Sequence, residues 1–210
     1  MKKLLLTDVD GTLTRKSVVL SHAGFLIEKG IIQDNGSYEA WKKDMKNESL
    51  IVAVAEHYRS QITGKKESDL MPEEFVKSFL NKKENWYSTL EELKEKNKNG
   101  SHEIILVTGS SDFLVKELAI LLDCKYKATQ YLKENERFTG EVVGMFSESQ
   151  KDSFVQKEVD KSKFSEIEAW GDTVSDYGLF KHAEKITLVE PTEKTLKAVA
   201  TKRKIDRIVS

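Results

Sequence analysis

Two aspartates near the start of the chain are its most informative residues. Asp8 and Asp10 stand in the sequence LLLTDVDGTLT, residues 4–14, where an apolar run opens onto two carboxylates and a glycine. Residues two apart face the same side of an extended segment, so both carboxylates can converge on one ligand. Hard cations such as Mg²⁺ take oxygen ligands and keep positions open for water and phosphate. The motif therefore predicts a divalent cation beside a phosphate, and an enzyme more than a scaffold.

A calcium-binding loop and a plain turn are the alternatives for this motif. The helix-loop-helix calcium site needs glycine at the sixth loop position and glutamate at the twelfth. Counting from Asp8, those positions hold Leu13 and Val19. The calcium loop therefore fails at two positions, whereas a strand and turn with solvated acids stays open on this motif alone.

Three later segments carry polar groups that make a plain turn with solvated acids a weaker alternative. The β-prone run EIILV, residues 103–107, ends in TGSS, residues 108–111, which predicts a hydroxyl at a strand end beside a helix N-terminus that favours anions. Lys151 follows in the sequence SESQKD. A second acidic loop, GDTVSD at residues 171–176, comes after another strand-like run. Each segment is weak evidence by itself, but their order is specific.

This order of motifs resembles the haloacid dehalogenase superfamily, which consists mainly of phosphatases. The resemblance extends over nearly the whole chain and is closest to the phosphoserine-phosphatase-like subfamily, whose small helical cap is inserted between the first two motifs. The stretches FTGEVVG, residues 138–144, and VEPTEKTL, residues 189–196, also look like that subfamily. The resemblance implies a phosphatase that forms a phosphorylated aspartate.

The resemblance also implies a role for each acidic residue. Asp8 would be the nucleophile that forms the aspartyl-phosphate. Asp10 would be the general acid for the leaving alcohol and then the base for the attacking water. Mg²⁺ would bind the carboxylates of Asp8 and Asp172 and the main-chain carbonyl of Asp10. Asp176 would hold a ligand water or orient Lys151.

Phosphate binding is implied for a second group of residues. Thr108 and the amides of Gly109 and Ser110 would hydrogen-bond the phosphoryl oxygens, and Lys151 would balance the negative charge of the nucleophile and the transferring group. Gly11 would leave backbone N–H groups accessible to phosphate. These residues and the acids complete the predicted site.

Two other functions remain open at this point. A phosphotransferase or phosphomutase would use the same intermediate and pass the phosphoryl group to an alcohol. A non-catalytic phospho-ligand binding or signalling module would combine similar residues, although receiver domains typically carry adjacent acids at the first strand. The substrate is expected to be a small phosphorylated metabolite, and phosphoserine is not favoured because residues 15–20 contain no acid to bind its amine.

Composition excludes several partner classes. The 210 residues carry 34 basic and 35 acidic side chains, so the net charge of −1 gives no electrostatic reason to expect nucleic acid or an anionic membrane. No apolar stretch approaches the roughly 18 residues that span a bilayer. The single cysteine cannot form an internal disulfide. The cytoplasm is therefore the expected compartment, and the sequence leaves the oligomeric state unknown.

Alternating strands and helices define the expected architecture. The predicted strands cover residues 2–7, 103–107, 166–170, 185–189 and 206–209, with two more short strands between 128 and 144. Apolar strands that alternate with helices predict an α/β fold, a Rossmann-like parallel sheet with helices on both faces and ligands at the strand carboxyl ends. Residues 17–84 read as helices and predict an inserted all-helical cap. Residues 1–16 and 85–210 would form the core.

Overall fold

A computed structural model of the protein describes residues 1–45, 47–144 and 147–210. Its central sheet has the strand order β4-β3-β2-β1-β5-β6-β7. The strands are β1 Lys3–Thr7, β2 His102–Ser111, β3 Lys125–Glu134, β4 Arg137–Val143, β5 Ile167–Gly171, β6 Lys185–Val189 and β7 Arg207–Val209. Neighbouring strands are parallel except for the hairpin of β3 and β4. The predicted α/β fold class with a mainly parallel sheet is confirmed.

The second strand is longer than the sequence indicated. The TGSS segment has the composition of a turn, and the prediction that the strand ends before Thr108 is wrong. Strand β2 continues to Ser111, which pairs with Thr129 of β3 after a register shift that begins at Val107. Pairing with a neighbouring strand thus overrides the local turn preference, and Thr108 lies inside the strand.

Besides four short 3₁₀ helices, nine α-helices occur in the described residues. They are α1 Val18–Glu28, α2 Ser37–Lys43, α3 Glu48–Ile62, α4 Pro72–Leu80, α5 Ser88–Lys98, α6 Asp112–Leu122, α7 Glu148–Glu158, α8 Tyr177–Phe180 and α9 Glu193–Ala200. They cover both faces of the sheet, and side chains of β1 alternate between them. Leu5 packs into a cluster with α5 and α6, whereas Leu4 and Leu6 pack into a second cluster with α7, α8 and α9. This alternation is the two-residue period of a strand buried on both sides.

The segment expected to form a cap contains helices α1 to α4, and its described residues form no strand. Its apolar side chains belong to the same buried cluster as Leu5, Phe113 of α6 and Phe138 of β4. Its backbone also contacts the sheet edge: the amide of Gly64 donates to the Phe138 carbonyl at 2.8 Å, and the Phe138 amide donates to the Lys65 carbonyl at 3.0 Å. The helical segment is thus fastened to the β3–β4 hairpin.

None of the described helices is both long enough and apolar enough to cross a membrane.

Candidate active site

Asp8 lies one residue beyond β1 and is buried. Its neighbour in space is Lys151, whose Nζ lies 3.0 Å from Asp8 Oδ1 and 2.5 Å from Asp176 Oδ1. Unlike Asp8, Lys151 does not directly follow a strand, because it lies on α7. That helix begins with a capping box in which Ser147 accepts from the Gln150 amide and Gln150 accepts from the Ser147 amide. This capping box fixes where α7 starts and so where the lysine lies.

A glycine allows α7 to approach the second acidic loop. A Cβ atom at Gly178 of α8 would lie 2.2 Å from the Glu148 carbonyl oxygen and 2.9 Å from Lys151 Cβ. Such distances are far below van der Waals contact, so any larger residue would separate the two helices. Close packing of α7 and α8 therefore brings Lys151 to Asp176.

Asp176 is held from both sides. One oxygen contacts Lys151, and the other accepts from the amides of Asp172 and Thr173 at 3.0 and 2.9 Å. Of the two roles implied for Asp176, the observed contact is with the lysine. Ligand oxygens of Asp8, Asp172 and Asp176 all lie within 4.8 Å of one another, so these carboxylates could share one cation.

Gly11 stands against this acidic cluster. It has a φ of +82°, and a Cβ atom there would lie 2.2 Å from Asp172 Oδ2. Its own amide donates to the Thr14 carbonyl at 2.7 Å. The Gly11 amide itself closes a turn, so any backbone donors that this glycine leaves accessible to phosphate belong to other residues. The glycine also leaves room for the Asp172 carboxylate.

Crowding of acids in a buried site shifts their ionisation. Burial, opposed by the ammonium of Lys151 and reinforced by the charges of Asp176 and Asp10, raises the pKa of Asp8 to about 7. Burial followed by the charges of Asp176 and Asp8 raises the pKa of Asp172 to about 9. Burial by itself would lower the pKa of Lys151, but the carboxylates of Asp176 and Asp8 outweigh it and raise that pKa. When ionised, these acids would carry more negative charge than one ammonium group neutralises, which fits a site for a divalent cation.

Asp10 is held by α1 and by β2. Its Oδ1 accepts from the Val18 amide at 3.0 Å, and its Oδ2 accepts from Ser110 Oγ at 2.7 Å and from Ser17 Oγ at 3.3 Å. Burial raises the pKa of Asp10, and these three hydrogen bonds oppose the rise. A carboxyl that is fixed in place with a raised pKa suits proton transfer.

The contacts between Asp10 and two serine hydroxyl groups were not predicted from the sequence. Ser110 was expected to use its amide on phosphate, but this amide donates to Thr108 Oγ1 at 3.2 Å, and the side chain serves Asp10 instead. Ser17 is the N-cap of α1, where its hydroxyl also accepts from the Leu20 amide. A serine directly before an apolar helical run was the available signal for an N-cap, but nothing in the sequence indicated its contact with Asp10.

An open cavity of about 170 Å³ lies between these groups. Its lining includes Asp8, Asp10, Thr108, Gly109, Lys151 and Asp172. Thr108 is buried, and the carbonyl of Gly109 accepts from Thr129 Oγ1 at 2.7 Å. These six residues are therefore brought together from four separate parts of the chain into one polar cavity, and Asp176 contacts Lys151 at its wall.

The chain belongs to the haloacid dehalogenase-like hydrolases. The model of this family matches residues 5–181, which contain all four motifs. The family expected from the motif order is thus confirmed, and the chain is a hydrolase of that family. Among curated proteins, no sequence matches the chain.

Solved structures share the whole fold at low sequence identity. A protein of unknown function from Bordetella pertussis Tohama I superposes with a TM-score of 0.77 at 17% identity, covering 100% of this chain and 99% of its own. A phosphoserine phosphatase in its apo form superposes with a TM-score of 0.65 at 20% identity, covering 100% and 94%. A phospho-aspartyl intermediate analogue of phosphoserine phosphatase gives 0.62 at 20% identity, covering 99% and 93%. The likeness is one of fold.

Proposed function

We propose that this protein is a Mg²⁺-dependent phosphatase that hydrolyses a small phosphomonoester through an aspartyl-phosphate. The observation that carries this proposal is the contact of Lys151 with Asp8 at 3.0 Å, at the wall of a cavity that also holds Asp10 and Asp172. Phosphoryl transfer needs a nucleophile, charge neutralisation and a proton for the leaving oxygen. Asp8, Lys151 and Asp10 would supply these three needs, in a chain that belongs to the haloacid dehalogenase-like hydrolases.

The two aspartates at the end of β1 would have different roles. Asp8 would attack phosphorus while the phosphorus–oxygen bond to the leaving group breaks, and the ammonium group of Lys151 would favour the ionised form of Asp8. Asp10 would give its proton to the leaving oxygen and later take a proton from the attacking water. Its hydrogen bonds from Ser110 and the Val18 amide would hold it in place for both transfers.

Mg²⁺ would be held by the carboxylates of Asp8 and Asp172 and the carbonyl of Asp10. When bound, the ion would supply positive charge that offsets the repulsion between these acids and an anionic substrate. Asp176 would act mainly on Lys151, since its oxygens are occupied by that lysine and by two backbone amides. Thr108 and the Gly109 amide would donate to the phosphoryl oxygens.

Residues 17–84 would serve as the cap, with the core formed by residues 1–16 and 85–210. The two connecting segments lie side by side: the Arg15 amide donates to the Asn85 carbonyl at 2.8 Å, and the Tyr87 amide donates to the Leu13 carbonyl at 3.1 Å. Motion about them would admit substrate and then exclude bulk water. Addition of Mg²⁺ and phosphate should slow hydrogen exchange at residues 14–17 and 81–86. No change at either segment would contradict a moving cap.

Hydrolysis of a generic aryl phosphate tests the activity. We expect turnover with Mg²⁺, loss of turnover in EDTA and recovery on addition of Mg²⁺. The Asp8→Asn variant should neither turn over substrate nor trap phosphate on the protein. Full activity in EDTA would overturn the metal assignment, and a purified protein that binds phosphorylated ligands without hydrolysing any would favour the binding module.

Transfer to an alcohol is the second candidate reaction. The open cavity beside Asp8 leaves room for a second acceptor as well as for water. Product analysis with an added alcohol acceptor distinguishes the two reactions. A phosphatase releases inorganic phosphate in proportion to substrate consumed, whereas a transferase forms a new phosphomonoester.

A further inference from the structure

A second cavity lies among the helices of the 17–84 segment. It has a volume of about 270 Å³ and lies between α1, α2 and α4. Five aromatic side chains line it, namely Phe25, Tyr38, Trp41, Phe75 and Phe79. A cavity of about 150 Å³ is enough to hold a benzene ring, so this one has room for a substituted or bicyclic ring.

The cavity lies on the face of α1 that contacts Asp10. Ser17 donates to the Asp10 carboxylate, and residues four and eight further along the helix, Ser21 and Phe25, line the cavity. Residues at this spacing lie above one another on one face of a helix. Lys16, next to Ser17 in the chain, lines the same cavity. The cavity thus begins one helical turn beyond Ser17, whose hydroxyl contacts the residue that would protonate the leaving oxygen.

Two buried polar atoms belong to residues that line this cavity. Trp41 Nε1 is a donor and Asn85 Oδ1 is an acceptor, and neither has a hydrogen-bond partner among the residues that the structure describes. The two side chains are only 4% and 2% exposed. An unpaired buried polar group is costly and rare in folded proteins. A ligand that carries both an acceptor and a donor would satisfy both atoms.

Charge around the cavity favours one class of ligand. Three lysines, Lys16, Lys42 and Lys82, and two glutamates, Glu28 and Glu84, line it. Lys42 is paired with Glu39 at 2.5 Å, so the other two lysines and the two glutamates balance one another, and a neutral group is accommodated better than an ammonium group. A compact amino acid such as serine would leave most of the aromatic lining without a contact.

We propose that this cavity receives the leaving group of the substrate, and that this leaving group carries an aromatic or heteroaromatic ring. The proposal rests on the phosphatase function proposed above. In this arrangement, the phosphoryl group lies at Asp8, the bridging oxygen lies at Asp10, and the ring extends along α1 between α2 and α4. The protein would therefore prefer ring-bearing phosphomonoesters to phosphoserine.

Substrates with matched leaving-group chemistry test this preference. 2-Phenylethyl phosphate and ethyl phosphate both release a primary alcohol, so a difference between them reports the ring and not the ease of bond breaking. We expect kcat/KM to be at least about tenfold higher for 2-phenylethyl phosphate. O-Phosphoserine should resemble ethyl phosphate. Equal values for all three substrates would overturn the proposal and leave the phosphatase function intact.

A cavity-filling variant tests the location. Ser21→Leu places a larger side chain at the end of the cavity nearest Asp10 and should reduce the tenfold ratio to about unity. Ser60→Leu on α3 is the matched control, because Ser60 is exposed and does not line the cavity. Trp41→Phe is a second variant. It should lower kcat/KM, relative to that of ethyl phosphate, more for 2-(pyridyl)ethyl phosphate than for 2-phenylethyl phosphate. If folded Ser21→Leu and Trp41→Phe proteins keep the wild-type ratios of kcat/KM, the ring does not bind in this cavity.

A binding measurement separates this inference from the proposed activity. Titration calorimetry with 3-phenylpropylphosphonate and propylphosphonate, in the presence of Mg²⁺, should give at least about tenfold tighter binding of the phenyl compound. If the protein hydrolyses no phosphomonoester but keeps this difference, the activity fails and the cavity assignment stands. If both phosphonates bind equally, the cavity assignment fails whatever the activity.

Discussion

Lys151 Nζ lies 3.0 Å from Asp8 Oδ1, although the two residues are 143 positions apart in the chain. The side chains are 3% and 9% exposed, so the pair is largely removed from water. The same ammonium group contacts Asp176 at 2.5 Å. Two buried acids therefore share one buried cation, and the contact of Lys151 with Asp8 links the nucleophile to the fold of α7.

Replacement of Lys151 by methionine should abolish activity and destabilise the protein. The variant leaves Asp8 and Asp176 buried without their cation, which should lower the free energy of unfolding by about 3 kcal/mol or more. Without Lys151, the native carboxyls hold protons more tightly than the unfolded ones, so the loss should be larger at pH 8 than at pH 5.5. Urea unfolding in EDTA at both pH values measures this difference.

Lys157→Met on the same helix is the control, because Lys157 is exposed. It should change the free energy of unfolding by less than about 0.5 kcal/mol. A Lys151→Met protein as stable at pH 8 as the control would contradict the view that this ammonium group offsets two buried charges.

Replacement of Gly11 by alanine should disturb the acidic cluster. The new methyl group would meet Asp172 Oδ2 at 2.2 Å and push the carboxylate aside. A displacement of this size should lower kcat/KM about 100-fold and raise the Mg²⁺ concentration needed for half-maximal activity. Gly100→Ala is the matched control, since Gly100 also has a positive φ but no atom within 4 Å of its Cβ position. Both variants share the cost of a side chain at positive φ, so equal loss of activity in both would reject the role given to Gly11.

His22 should make the protein less stable in acid. Burial lowers the pKa of His22 from its usual 6.5 to about 4. Its Nε2–H donates to the Leu70 carbonyl at 2.8 Å, and its Nδ1 accepts from the Tyr58 hydroxyl at 2.8 Å. The folded protein thus holds this ring neutral, while the unfolded chain takes up a proton below pH 6.5. Stability should therefore fall as the pH decreases from 6.5 towards 4, by up to about 3 kcal/mol from this group.

A comparison of His22→Gln with the wild type isolates this effect. The variant has no titrating group at the site, so the stability difference between the two proteins should shrink as the pH decreases from 7 to 4. Urea unfolding at several pH values measures the difference, and His57→Gln on α3 serves as the control. A difference that stays constant over this pH range would show that His22 does not titrate as its burial predicts.

Much of the fold was predictable because the parallel strands are short apolar runs bounded by polar turns. Strand β6 occupies residues 185–189 as expected, β1 and β7 each begin one residue later than expected, and β5 is shifted by one residue at both ends. The extension of β2 through Ser111 could not be predicted, since it depends on pairing with Thr129 of β3. Local composition specifies where a strand can form, whereas its neighbours determine where it ends.

The candidate site was predictable in its residue types but not in its contacts. The spacing of Asp8 and Asp10 indicated two convergent acids, yet their environments differ. Asp8 contacts a lysine, and Asp10 accepts hydrogen bonds from Ser110 and from the first turn of α1. Such contacts arise from the packing of segments far apart in sequence. The motif likewise does not predict that the Gly11 amide donates a hydrogen bond inside a turn.

Ser110 is expected to position Asp10 for proton transfer. Ser110→Ala removes the 2.7 Å hydrogen bond to Asp10 Oδ2, so the carboxyl should lose part of its orientation. We expect about a tenfold loss in the rate of the first chemical step on alkyl phosphates. The loss should be smaller on aryl phosphates, because a phenolate needs less protonation to depart. Asp10→Asn should show the same pattern with larger losses.

Ser111→Ala provides a matched control at the next residue. Ser111 is also buried, but its hydroxyl has no hydrogen-bond partner among the described residues. Its removal should leave the rate of the first step unchanged on both classes of substrate. Rapid mixing measures that step separately from breakdown of the aspartyl-phosphate, which Asp10 also assists. Equal losses on alkyl and aryl phosphates in Ser110→Ala would show that the serine acts on the fold of β2 and not through the proton carried by Asp10.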